Sequence, residues 1–101
     1  MKSISAEELQ EKLEKEEKVN IIDVREDEEI AIGKIPEAKH ISLGDIPKSL
    51  EKLDKNKHYY MVCRSGGRSA AACEYLVDQG YDVTNMTGGM LAWKGETEKE
   101  E

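Results

Sequence analysis

Cysteine, proline and histidine each occur only twice in the 101-residue sequence, and aromatic residues make up 5%. No apolar run approaches the ~20 residues needed to cross a membrane. With Cys63 and Cys73 alone, no second short-spaced Cys or His pair exists to complete a zinc site. The start, Met1-Lys2-Ser3-Ile4, passes into polar residues where a secretory segment would turn apolar. These features predict a cytoplasmic chain with no membrane partner, where a structural disulfide between the cysteines is not expected. Few aromatics, no basic stripe and a formal net charge of -7 argue against nucleic acid, which draws on basic patches to release counterions.

Charge is what the sequence has in abundance: 37% of residues are charged, against 38% hydrophobic. That balance fits one compact domain over residues 1–101, with a small core under a charged surface. The acidic excess is read as a solubility device. The terminal run from Glu96 to Glu101 is expected to fray.

Ser5-Ala6-Glu7-Glu8 has the form of a capping box and opens a helix over roughly 6–16, with Leu9 and Leu13 on its apolar stripe. Val19 to Val24 is a short β-branched run, as in a buried strand. Glu26 to Ile32 forms a short helix closed by Gly33, and His40-Ile41-Ser42 a second strand. Ile46 to Leu50 reads as another short helix, with Pro47 in its first turn. Tyr59 to Cys63 is a third strand, and a helix follows from about Gly67 to Gln79, with Ala70, Cys73, Leu76 and Val77 on one side. Gly80 stops it. Asp82 to Met86 is a last strand, and Gly88-Gly89 leads into a short helix carrying Met90, Leu91 and Trp93. Strands alternating with helices imply an α/β layer structure on a mainly parallel sheet, with the functional crevice at the carboxyl ends of the strands.

Cys63 stands at such an end, followed by Arg64-Ser65-Gly66-Gly67-Arg68-Ser69 and helix-forming alanines. Two glycines allow a tight loop with amides turned inward, and the helix start adds unpaired N–H donors and the positive end of its dipole. Such donors and nearby cations lower a cysteine pKa from ~8.5 into the range of about 3.5–7.5. Cys63 is therefore the candidate nucleophile, against the alternative of a thiol packed as a small hydrophobe. Cys73, inside the helix with no cation beside it, is read as a core thiol.

These residues resemble the rhodanese family, in the short single-domain form found in bacteria. The resemblance runs over nearly the whole chain. It rests on Asp23-Val24-Arg25, Gly33-Lys34-Ile35-Pro36-Glu37-Ala38, the Cys63–Arg68 loop and Gly88-Gly89-Met90-Leu91-Ala92-Trp93, in that order. It implies a three-layer α/β/α fold with a mainly parallel central sheet of about five strands. It also implies a ping-pong sulfur transfer: Cys63 takes the outer sulfur of a donor such as thiosulfate as a persulfide, and a nucleophile, cyanide in the usual assay, removes it. The amides and side chains of Arg64, Ser65, Gly66, Gly67, Arg68 and Ser69 would bind the substrate, with Asp23 and Arg25 in support and no metal or organic cofactor.

Lys34, Glu37 and His40 depart from the family pattern, which frequently has His, Gly and Asn there. His40 and His58 are both read as structural. A cysteine phosphatase or arsenate reductase is disfavoured because four residues, not five, separate Cys63 from Arg68, and Val62 precedes the cysteine where tyrosine phosphatases have His. A non-catalytic binding module is disfavoured because the cysteine and both arginines are present. A carrier that accepts sulfur from one protein and hands it to another stays open.

Overall fold

The computed structural model describes residues 1–99. Five strands, β1 (Lys2–Ser5), β2 (Asn20–Asp23), β3 (Ala38–His40), β4 (His58–Val62) and β5 (Asp82–Thr87), form one parallel sheet in the order β1-β5-β4-β2-β3. Three helices, α1 (Ala6–Glu14), α2 (Asp27–Ile32) and α3 (Gly67–Asp78), join short 3-10 turns at Leu43–Asp45, Pro47–Lys52 and Gly89–Ala92. Among the described residues no helix is long and apolar enough to cross a membrane.

Both faces of the sheet are apolar because neighbouring strand residues point opposite ways. Ile22, Met61 and Val83 pack on one face with Ala72, Cys73 and Leu76 of α3. Ile21, Val62 and Met86 pack on the other with Ala6 and Leu9 of α1. The result is the α/β/α arrangement that the resemblance implied. From β2 the chain moves outward to β3, whereas from β4 it moves the other way to β5. The strand order therefore reverses between β2 and β4, which places the expected crevice beyond their carboxyl ends.

Several elements differ from expectation. β1 was not foreseen: its four residues contain one buried apolar side chain, Ile4, too little to show alternation, and its pairing with β5 joins opposite ends of the chain. α1 ends at Glu14, two residues early, because Glu16 adopts a left-handed φ of 59°. The Glu17 and Glu16 amides then bond back to the carbonyls of Lys12 and Leu13, a Schellman closure made without glycine. β3 lies at 38–40, ahead of the predicted 40–42, although Ile41 still bonds to Asp23 along the edge of β2. The segments at 47–52 and 89–92 wind as 3-10 turns.

α3 is rotated from its predicted face. Ser69, Ala72, Cys73 and Leu76 are buried at helical spacing, whereas Val77 is 52% exposed. The reason is Ser69, a polar residue drawn inward by partners described below. Within the stretch expected to fray, Glu98 exchanges two backbone hydrogen bonds with Lys34, at 2.9 and 2.8 Å, and its carboxylate meets Lys34 Nζ at 3.2 Å. The last two residues of that predicted tail, 100 and 101, lie outside the described residues.

Candidate active site

β4 delivers Cys63 to the carboxyl end of the sheet, and α3 begins four residues later. Gly66 turns the loop with a φ of 110°, a conformation that L side chains rarely adopt. Gly67 needs no such freedom, and a Cβ there would meet nothing within 4 Å. Cys63 Sγ accepts the Gly66 N–H at 3.0 Å and lies 3.3 Å from Ser69 Oγ. The residue is 1% exposed.

Burial pushes the Cys63 thiol pKa up, but the Ser69 hydroxyl and the backbone N–H groups of Ser69, Gly66 and Ser65 more than offset it, so the pKa falls below 9.0. Cys73 has no such donors, and burial raises its thiol to about 12 against a smaller lowering by the charged N-terminus. The two thiols are thus separated by the donors around one of them. The loop and the helix start supply those donors.

Of the two loop arginines, Arg64 is exposed and has no ion-pair partner among the described residues. Arg68 makes a forked pair with Glu29 of α2, at 2.6 and 2.8 Å. Hydrogen bonding to Arg68 lowers the Glu29 pKa from 4.5 to about 2 against the opposing effect of burial, aided by the Glu26 amide. Its contribution to stability is therefore complete above about pH 4.5 and lost as pH falls through about 2. The resemblance implied Arg68 as a substrate-binding residue, and the structure engages it with a carboxylate 39 residues away.

Asp23 and Arg25 bind each other at the end of β2. Arg25 Nε and Nη2 reach both carboxylate oxygens at 2.9–3.1 Å, and the Arg25 amide bonds to Asp23 Oδ1 at 3.0 Å. Nη2 also donates to the Gly33 carbonyl at 2.8 Å, fastening the end of α2. The side chains are 8% and 0% exposed, so this is a buried pair, away from the solvent that weakens an exposed one.

The histidines have partners of their own. His40 Nε2 lies 2.6 Å from the Arg25 carbonyl, and His58 bridges Thr84 and Asp82 at the opposite end of the sheet. Lys34 is buried, with Nζ donating to the carbonyls of Ile35, Pro36 and Ala38. The lysine thus holds together the turn where the sequence departs from the family.

Three residues escaped the sequence-based site. Glu29 pairs with Arg68, as described. Asn85 of β5, 6% exposed, contacts Ser69 and Gly66. Gly89 seats the loop from beyond β5: the Met90 and Leu91 amides bond to the Cys63 and Arg64 carbonyls at 2.9 and 3.0 Å. A Cβ on Gly89 would stand 2.3 Å from the Arg64 carbonyl oxygen, at a φ of 56°. The Gly88-Gly89 pair was visible as a motif, but its contact with the cysteine loop was not.

Gly89→Ala should therefore cost about 3 kcal/mol, combining overpacking against backbone with the left-handed penalty. Urea denaturation alongside Gly67→Ala checks this, since the latter introduces no clash. Equal midpoints for the two variants would contradict the close approach.

The family model described as Rhodanese-like domain matches residues 5–96. A Bacillus subtilis protein named "Putative sulfurtransferase YtwF" is 54% identical over 97 residues, covering 96% of this chain and 94% of that protein. Another from the same organism, named "Putative sulfur carrier protein YrkF", is 41% identical over 94% of this chain and 52% of its own length. The crystal structure of a rhodanese-like domain protein from Staphylococcus aureus superimposes with a TM-score of 0.94 at 48% identity, covering 100% of both chains. A parallel sheet with a cysteine loop at its reversal point, a matching family model and near full-length relatives agree: the chain belongs to the rhodanese-like domain family, with a sulfurtransferase or sulfur-carrier role.

Proposed function

We propose that the chain moves a sulfane sulfur from an anionic donor such as thiosulfate to a nucleophilic acceptor, cyanide in vitro, through a persulfide on Cys63. The observation that carries this reading is the ring of hydrogen-bond donors on Cys63 Sγ, which favours a thiolate in a nearly sealed site. The thiolate attacks the outer sulfur of thiosulfate. The sulfur–sulfur bond of the donor breaks, sulfite leaves with the bonding pair, and a persulfide anion remains on Cys63. Cyanide then attacks the terminal sulfur, thiocyanate departs and the thiolate returns.

In this reading the Ser65, Gly66 and Ser69 amides receive the negative sulfur and the α3 N-terminus at Gly67 favours it electrostatically. Arg64 attracts the donor anion. Arg68, held by Glu29, shapes the mouth and adds a partly neutralised charge. Asp23 and Arg25 brace the floor beside β4. The proposed setting is the cytoplasm, where both free thiols, Cys63 and Cys73, would stay reduced. A phosphatase reading is disfavoured by the four-residue spacing from Cys63 to Arg68.

One observation favours a second donor class. With Arg68 engaged by Glu29, a small dianion meets only one unpaired loop arginine, Arg64. A protein-bound persulfide needs less charge compensation, and a protein acceptor would make the chain a carrier.

Steady-state kinetics tests both readings. Varying thiosulfate and cyanide should give parallel double-reciprocal lines, as a covalent intermediate requires. Intersecting lines would contradict the persulfide. A thiosulfate KM well above ~1 mM, the usual upper bound for physiological substrates, together with saturation by a protein persulfide, would favour the second donor class.

A further inference from the structure

Ser69 carries one hydroxyl proton, and three acceptors surround it. Asn85 Oδ1 is nearest at 2.5 Å, followed by the Gly66 carbonyl at 3.2 Å and Cys63 Sγ at 3.3 Å. One proton cannot satisfy all three. Asn85 Nδ2 donates to the same Gly66 carbonyl at 3.3 Å, which fixes the amide with its oxygen toward Ser69. Asn85 is buried on β5, and both its side-chain partners, Ser69 and Gly66, are residues that also contact Cys63 Sγ. A buried amide on a strand is costly unless paired, and this one is paired entirely with the cysteine loop.

We infer that Asn85 is a positioning residue that sets the reactivity of Cys63 by competing with its thiolate for the proton of Ser69. When Cys63 is a thiolate, the hydroxyl turns to Sγ and Asn85 Oδ1 loses its donor. When the sulfur is capped as a persulfide, its charge moves to the terminal atom, and the hydroxyl turns back to Asn85. Only a hydroxyl rotation is involved; no bond is made or broken. The amide thereby withholds part of the stabilisation that Ser69 could give the thiolate. A less stabilised thiolate has a higher pKa and greater intrinsic nucleophilicity, and the persulfide is favoured relative to it.

This inference rests on Cys63 being the reacting thiol, and its test needs no sulfur donor. The rate of Cys63 alkylation by iodoacetamide is followed against pH by peptide mass, which separates it from Cys73. Four proteins form a cycle: wild type, Asn85→Val, Ser69→Ala and the double variant. Deleting the competing acceptor should release the Ser69 proton to sulfur. The change caused by Asn85→Val should therefore lie about 0.7 pH unit lower when Ser69 is present than when it is absent, about fivefold in acid dissociation, as one modest hydrogen bond provides.

A merely structural Asn85, one that only holds Gly66 in place, would shift the pKa equally in both backgrounds. Zero coupling, or coupling of the opposite sign, would overturn the inference. Asn85→Ala gives the same comparison if the branched side chain impairs folding. If sulfur transfer failed while this coupling appeared, the proposed function would fall and the role of Asn85 would stand.

Discussion

Replacing Cys63 by serine is expected to lower sulfur transfer by about 10⁴-fold or more, the scale seen when a covalent nucleophile is removed. The serine hydroxyl would still accept the Gly66 N–H, so the loop should keep its shape. What disappears is the acidity and polarisability of sulfur: no group in the loop can ionise an alcohol at neutral pH, and oxygen forms no persulfide. Cys73→Ala should retain transfer, because that thiol lies buried in the core under α3 with its pKa raised to about 12. Thiocyanate formation measures both variants. A Cys63→Ser protein that kept even a hundredth of the wild-type rate would place the chemistry on another group.

The second large effect is on stability. Arg25→Ala leaves Asp23, 0% exposed, with only the Arg25 amide to its carboxylate. Breaking a buried pair from one side costs about 3–5 kcal/mol, because the remaining charge keeps its desolvation penalty and loses its partner. For a domain of this size that corresponds to a fall in Tm of about 15 °C or more. Arg25→Lys should recover little, since an ammonium cannot span two carboxylate oxygens and the Gly33 carbonyl as the guanidinium fork does. Replacing both partners, as Asp23→Leu with Arg25→Met, should destabilise less than either single change. Thermal denaturation of these five variants decides it. A drop of one or two degrees for Arg25→Ala would mean that water screens the pair.

The legible part of this fold is local. The short β-branched run from Val19 to Val24 announced a buried strand, and Ser5 with Glu8 announced the start of α1 through a capping box that the structure forms at 3.0 Å in both directions. Cys63, two glycines and a following helix were adjacent in sequence, so their convergence needed no tertiary information. The long-range features were hidden for a physical reason. β1 is a strand because β5 lies beside it, not because Lys2 to Ser5 prefer to be extended. Ser69 points inward because Cys63, Gly66 and Asn85 receive its hydroxyl, which reverses the polarity expected of a buried helix face. Nothing in the residues beside Glu29 marks it, because its partner Arg68 lies 39 residues away.

The pairing of Arg68 with Glu29 also changes the electrostatic picture of the mouth. Arg68 stands near Cys63 less as a free cation than as one arm of a salt bridge, and the pKa of Cys63 falls through its hydroxyl and amide donors. In the proposed transfer, fixed amides would need no reorganisation as charge builds on the Cys63 sulfur and then moves outward.

The most direct measurement of the central claim is the mass of the Cys63 peptide after the reduced protein is treated with thiosulfate. A Cys63 persulfide adds the mass of one sulfur atom to that peptide alone, and cyanide restores the original mass while releasing thiocyanate. An unmodified Cys63, or a sulfur found on Cys73 instead, would contradict it.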